Sequence, residues 1–274
     1  MLDSSDLIDR REIQGSAVQS PSINKNVVIH QPYFLPWMGY FSKFIYADTF
    51  IVLDNVMFTK GSYLDRVQIV NTSGDISWIG LNIGQHFKER INEVSISNSK
   101  TMKRILKTIH YSYSKARYYK NTIESVSNIL TTAFLNSSVL SELNVRIIEG
   151  FINLLQLRPP EIILSSQLPE INDSTERIVQ FCNHIQRHNL IVGSEISVAV
   201  HDVDKIHANG IEMYFQDFYH NHPAYRQIRR KRVGFAKGLS IIDCIFNEGT
   251  ERTNILLHDN KSIPIKYTRN DNYG

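Results

Sequence analysis

The sequence predicts an α/β protein: a mostly parallel, open sheet with an antiparallel extension and a helical insertion. Three observations predict it. Residues 27–53 read strand, helix, strand, and residues 161–215 return to the same alternation of short apolar strands and amphipathic helices. Between them lie an antiparallel β pattern to about Ile96 and a helical stretch over 99–157.

Taken in order, residues 1–26 are polar, rich in Ser, Asp and Arg, and lack a sustained period, which predicts a flexible tail. The stretch Val27–Phe41 (VVIHQPYFLPWMGYF) organises the rest of the chain. Val27, Val28 and Ile29 are apolar and β-branched, as a short buried strand requires. His30 and Gln31 then set two hydrogen-bonding side chains at its carboxyl end. Pro36 fits the first turn of a helix over about 36–46, whose Met38, Phe41, Phe44 and Ile45 share a face. Thr49–Leu53 is a second buried strand ending at Asp54–Asn55, so the two strands and their helix make a βαβ unit.

Beyond it, VMFTKGSYLDR reads as a loop, VQIV and ISWIGLNI as strands, and Thr72–Asp75 as a hairpin turn. Over 99–157 two helical stripes appear, one through Met102, Ile105, Ile109 and Tyr113, the other through Leu143, Ile147, Phe151 and Leu155. Pro159–Pro160 stops the run. EIIL at 161–164 is strand-like, Asp173/Ser174 open a helix, and Leu190–Val192 is a strand ending at Gly193–Ser194. A helix over 203–208, a strand at Ile211–Phe215 and a final helix at Leu239–Phe246 come next. Asn247–Gly249 reads as the cap of that last helix, and residues 259–274 as a flexible tail. The expected organisation is one domain over 27–258 between two tails.

Hydrophobic content of 42% and charged content of 21% are those of a soluble globular chain, and a net charge of +3 demands no nucleic-acid partner. The aromatic and basic run Tyr111–Lys120 is read as a solvated helix face with interfacial tyrosines. Two cysteines, Cys182 and Cys244, lack metal-ligand spacing and suit a reducing compartment. No apolar run approaches the roughly 20 residues of a membrane span, and residues 1–26 lack a signal-peptide core. A cytoplasmic location, without membrane insertion, is the expectation; a homo-oligomer is left open.

Four clusters carry candidate chemistry: His30 with Gln31, Asp54 with Asn55, Lys60 with Arg66, and the segment Gln216–Gln227. If the strands are parallel neighbours, all four loops lie at one sheet edge, where ligands bind in open α/β folds. His30 is the candidate general base, since histidine titrates at about pH 6.5. Asp54 could orient it, bind a sugar hydroxyl or hold a metal. Lys60 and Arg66 could grip a phosphate. His220 and His222, with His201 and His207, do not match zinc-ligand spacings, and no metal is expected. GxGxxG, GxxxxGK[ST] and GxSxG are all absent, which argues against the usual dinucleotide, Walker and serine-hydrolase sites. Asp243 and Asn247, four apart on the last helix, share a face and read as structural support.

The segments IHQPYFLPWMGYFSKFIYADTFIVLDNVMFTKGSYLDR, GIEMYFQDFYHNHPAYRQ and LSIIDCIFNEG resemble, in order, the sequence blocks of the WbqC-like protein family over about residues 27–250. Departures are an added residue in HNHPAY, which leaves His222 aligned with the family histidine, Asp65 where asparagine is commoner, and Cys244 at a usual leucine position. The resemblance implies a bacterial protein of O-antigen or other surface-polysaccharide (lipopolysaccharide) biosynthesis. It further implies a transferase adding an acyl, aminoacyl or one-carbon group to the amine of a nucleotide-linked amino sugar, with an acyl or one-carbon donor as co-substrate. On that reading His30 and Asp54 are catalytic. Gln31, Tyr33, Trp37, Asn55, Lys60, Arg66, Gln216, His222, Tyr225 and Gln227 bind substrate. Two alternatives stand: a nucleotidyltransferase resembling the HIGH type, although its second histidine is absent, and a non-catalytic sugar-nucleotide-binding scaffold using Tyr33, Trp37 and Tyr40 for stacking.

Overall fold

The computed structural model describes residues 26–84, 88–96, 99–193, 201–231, 233–258 and 263–267. The apolar run at the front forms β1 (Asn26–His30), which pairs in parallel with β2 (Thr49–Val52), Val28 opposite Phe50. Between them lies α1 (Met38–Tyr46). On its far side β2 pairs in parallel with β5 (Glu161–Leu164). Across the other edge β1 pairs in parallel with β6 (Asn189–Val192), and β6 with β7 (Glu212–Phe215). The five parallel strands therefore run in the order β5-β2-β1-β6-β7.

Alternation along these strands supplies both faces of the sheet. Val28, Phe50, Val52 and Ile191 face a large cluster containing Phe41 and Phe44 of α1 and Ile105, Leu130, Ile147 and Ile245. These last come from α2 (Ser99–Tyr113), α3 (Tyr119–Leu135), α4 (Leu140–Leu154) and the final helix α7 (Ile241–Leu257). Val27, Ile51, Leu190 and Met213 face the opposite side, against α5 (Ser174–His184) and α6 (Val203–Ala208). A parallel sheet covered on both faces needs such continuously apolar strands, and β2 is buried at all four positions.

The antiparallel extension is a separate two-stranded sheet, β3 (Arg66–Val70) with β4 (Ile76–Gly80). Its turn is held by Asn71, whose Oδ1 accepts the N–H groups of Ser73 (2.9 Å) and Asp75 (3.0 Å). The helical insertion is the α2–α4 unit.

Two readings of the C-terminal part are corrected. The last helix does not end at Phe246: the chain kinks at Gly249 (φ 83°) and continues helical to Leu257. Within the segment expected to be a free tail, Ile265–Lys266 add β8 antiparallel to β7, with Lys266 ion-paired to Glu212 at 2.7 Å. Too few residues alternate there for a strand to be read from sequence. The expected N-terminal tail, apart from Asn26, and Ser194 lie outside the described residues. Among the described residues no helix is long and apolar enough to cross a membrane.

Candidate functional site at the sheet crossover

From β1 the chain builds outward to β2 and β5 on one side, then returns to place β6 and β7 on the other. The carboxyl ends of β1 and β6 therefore border a crevice at the point where strand order reverses, the usual ligand position in an open α/β sheet. His30 ends β1 and Gly193 comes directly after β6.

His30 Nδ1 lies 2.9 Å from the Gln31 carbonyl. A carbonyl only accepts, so Nδ1 carries the proton and Nε2 keeps its lone pair. Tyr40 O–H also donates to the Gln31 carbonyl (3.1 Å), and the rings of Tyr33 and Tyr40 stand edge-on to the imidazole at 4.7 and 4.9 Å. Burial, then the neighbouring Lys43 ammonium, pushes the imidazole pKa down to about 3, against the Gln31 hydrogen bond, so His30 is neutral at physiological pH.

Lys43 lies one turn after Tyr40 on α1, so both point to the crevice while Phe41 and Phe44 enter the core. Its side chain is 8% exposed, pairs with no described carboxylate, and is pushed down to about 8 by burial. A Cβ on Gly193 would lie 2.7 Å from its Nζ, so glycine leaves the space that the ammonium uses. Beyond β7, Gln216 is buried and donates through Nε2 to Ser42 Oγ at 2.9 Å.

Aromatic groups close the walls. Tyr33 stacks on Tyr63 (5.4 Å), and Phe34 N–H donates to the Tyr63 carbonyl at 2.8 Å, which joins the two loops. Trp37 meets Phe218 edge-on at 5.7 Å and stacks on His222 at 6.4 Å. A Cβ on Gly39 would fall 2.2 Å from the indole, so only glycine lets Trp37 lie across the first turn of α1. Burial raises the Tyr33, Tyr40 and Tyr63 phenols, which stay protonated donors. The cavity so formed has a volume of about 290 Å³. A second cavity of about 140 Å³ shares His30, Lys43 and Gly193 with it and reaches Arg177 and His201. Burial lowers the His201 pKa, and its Nδ1 is buried without a hydrogen-bond partner among the described residues.

Of the residues singled out from sequence, His30, Tyr33, Trp37 and Gln216 line the larger cavity, Gln31 contributes its carbonyl, and His222 backs Trp37. The others lie elsewhere. The expectation that Asp54 orients His30 is corrected: Asp54 Oδ1 accepts from Ser165 Oγ (3.0 Å) and Ser166 N–H (2.8 Å), and Oδ2 from Ser166 Oγ (2.7 Å). Asn55 Oδ1 accepts from the same Ser165 hydroxyl. Lys60 is exposed, and Arg66 stacks over Trp78 at 4.4 Å; neither lines the cavity. Asp65 accepts the Gly61 N–H at 3.1 Å, a turn contact.

Tyr225 and Gln227 turn toward Asp243 rather than His30. Asp243 Oδ1 accepts from Tyr225 O–H (2.8 Å) and Gln227 Nε2 (3.2 Å), and Oδ2 from Tyr113 O–H (2.9 Å). Burial pushes this carboxyl up to about 6 although the three donors oppose it. Asn247 Nδ2 donates to the Asp243 carbonyl and its Oδ1 accepts the Ile228 N–H, so the Asp243–Asn247 pair is a structural hub as read from sequence. Sequence reasoning missed Lys43, Tyr63, Tyr219 and Gly193 as lining residues; only the proximity of Lys43 to the PWMGY stretch hinted at the first. Among the described residues no three His, Cys, Asp or Glu are grouped to hold a metal ion.

Comparisons with known proteins agree with the blocks that form this crevice. An uncharacterized protein of Mycobacterium tuberculosis, Rv1507c, is 25% identical over 241 residues, which cover 85% of this chain and 97% of the relative. No solved structure matches the chain. The model of the WbqC-like protein family matches residues 31–255, from Gln31 beside His30 through both helical and β additions into α7. The chain belongs to the WbqC-like protein family.

Proposed function

We propose that the protein transfers an acyl, aminoacyl or one-carbon group to the amine of a nucleotide-linked amino sugar during bacterial surface-polysaccharide synthesis. One observation carries the chemistry: a neutral imidazole and a buried ammonium, which pairs with no carboxylate among the described residues, face one crevice at the strand crossover. The biological context rests on family membership.

In this mechanism the sugar amine arrives neutral, because an imidazole with a pKa of about 3 cannot hold a proton taken from a free ammonium. The amine attacks the donor carbonyl; a C–N bond forms and the carbonyl π pair moves onto oxygen. Lys43 stabilises that oxyanion by charge, and Gln216 flanks it. Bond formation makes the attacking nitrogen strongly acidic, and its proton passes to His30 Nε2. The carbonyl re-forms, the donor's leaving group departs with the bond pair, and His30 returns the proton to it. Tyr33, Tyr63 and Trp37 offer flat and hydroxyl-bearing walls to the sugar.

The test is a thermal-shift panel of nucleotide sugars, with and without acyl donors. Ligands that bind the folded state raise its melting temperature by mass action. A shift confined to nucleotide-linked amino sugars supports the reading; a flat panel rejects it.

The strand order favours a second reading, nucleotidyl transfer. Third-second-first-fourth-fifth is the order of doubly wound nucleotide-binding sheets, with their ligand at this switch point. A response to ATP with a divalent metal, and to no amino sugar, would select it.

A further inference from the structure

A larger concavity lies on the other side of the Gln216–Gly238 segment. Its volume is about 750 Å³, within the range of small-molecule sites. Six cations line it: Lys115 and Arg117 from the turn between α2 and α3, and Arg226, Arg229, Arg230 and Lys231 from the loop before α7. None of the six pairs with a carboxylate among the described residues.

The two cation-bearing segments hang from one turn of α7, just before its kink. Tyr118 N–H donates to the Phe246 carbonyl at 2.9 Å, Ile228 N–H to Asn247 Oδ1 at 2.9 Å, and Arg226 N–H to Glu248 Oε1 at 3.1 Å. The half-buried arginines are fixed by backbone carbonyls. Arg229 donates to the carbonyl of Ser112, and Arg230 donates to those of Gly234 and Gly74, each at 3.0 Å. Carbonyl acceptors orient a guanidinium without forming an ion pair with it; Arg230 acts on the Asp243 carboxyl only at longer range. The nearest buried carboxylate, Asp243, is already engaged by three donors. Two guanidiniums held in place, with four exposed cations around the same concavity and no ion pair to any of the six among the described residues, make an anion site, and guanidinium forks match phosphate oxygens.

We propose that the cleft between the 115–118 turn and residues 225–231, 234 and 235 binds the diphosphate or triphosphate group of a small molecule. The occupant's charge is what the lining specifies: one carboxylate or monophosphate would leave most of the six cations unmatched. This site is distinct from the His30 crevice and does not rest on the transferase reading. Trp37, His222 and Phe235 form the partition between them, with His222 and Phe235 at 5.3 Å.

The experiment is calorimetric titration of the full chain with inorganic pyrophosphate, tripolyphosphate and a nucleoside diphosphate at matched ionic strength. The variants are K115E/R226E, its neutral counterpart K115Q/R226Q, and H30A. Lys115 and Arg226 make no described side-chain hydrogen bond, so their exchange spares the fold. Pyrophosphate is expected to bind the wild type, about tenfold or more weakly to K115E/R226E, less weakly to K115Q/R226Q, and unchanged to H30A. Tighter binding of the nucleoside diphosphate than of pyrophosphate, weakened in K115E/R226E and kept in H30A, would identify a nucleotide as the occupant, and equal binding with the same dependence a free or lipid-linked diphosphate; both support the site. Absence of binding, equal affinity in the charge-reversed variant, loss in H30A, or equal competition by sulfate would overturn it. So would a single-stranded oligonucleotide that binds far more tightly and resists displacement by tripolyphosphate.

Discussion

The Lys43 ammonium occupies the space that a side chain at position 193 would need: a Cβ on Gly193 would lie 2.7 Å from Nζ and 2.8 Å from Cε. A residue of α1 and a residue after β6, far apart in sequence, thus define one wall of the crevice. Gly193→Ala is expected to leave the fold intact, because a flexible lysine end can swing away. The ammonium would leave the crevice with it. Titration of the ligand found in the thermal-shift panel should read affinity at least about tenfold weaker, with a melting temperature near that of the wild type. Unchanged affinity would separate Lys43 from the site.

Lys43 also predicts a pH dependence of stability. Its folded pKa, about 8, lies below the unfolded 10.5, so between those values the unfolded chain binds more protons and stability rises with pH. Lys43→Met removes that slope and stabilises the neutral-pH protein by about 1–3 kcal/mol, since a buried ammonium with no carboxylate partner among the described residues is replaced by an apolar group of similar length. Denaturant melts of both proteins from about pH 7 to 10.5 measure it. Parallel curves would contradict the burial argument.

His30 acts in the same direction at acid pH. Its folded pKa of about 3 lies below 6.5, so stability falls as pH drops through that window, where the unfolded chain gains a proton that the folded chain refuses. Asp243 acts oppositely: raised from 3.8 to about 6, it makes stability fall as pH rises between those values. Melts of His30→Gln and Asp243→Asn over about pH 3–7 should each remove one of these opposed slopes.

Asp243→Ala leaves the buried hydroxyls of Tyr113 and Tyr225 without their acceptor. It is expected to cost about 2–4 kcal/mol in chemical denaturation. Asp54→Ala, which strands Ser165 and Ser166, is likewise expected to lower stability while ligand affinity at the His30 crevice stays within about twofold. A selective loss of affinity at full stability would return Asp54 to the site.

How far the sequence can be read depends on the range of each contact. The βαβ start, the position of His30 at the end of β1 and the convergence of Gln216 on the same edge are local pattern plus parallel pairing, and they are legible. The Asp54 acceptors are not, because Ser165 and Ser166 are distant in sequence and reach it only through β2–β5 pairing. Lys43 reads in isolation as an ordinary polar position on an amphipathic helix. Its burial depends on β6 docking beside β1, a register that no local period encodes. Tyr225 and Gln227 belong to a block with the composition of a binding loop, yet their polar ends satisfy Asp243 on α7. The six-cation cleft is likewise hidden, since its charges come from two segments distant in sequence, one of which reads as a solvated helix face.

Transferase activity at the His30 crevice is tested most directly by a mass-spectrometric assay of purified protein with nucleotide-linked amino sugars and acyl or one-carbon donors, run beside His30→Ala and Lys43→Met. With the wild type the sugar is expected to gain the mass of the transferred group on its amine, and turnover is expected to fall by at least about a hundredfold in each variant. A sugar returned unaltered across the panel, or wild-type turnover in both variants, would contradict it.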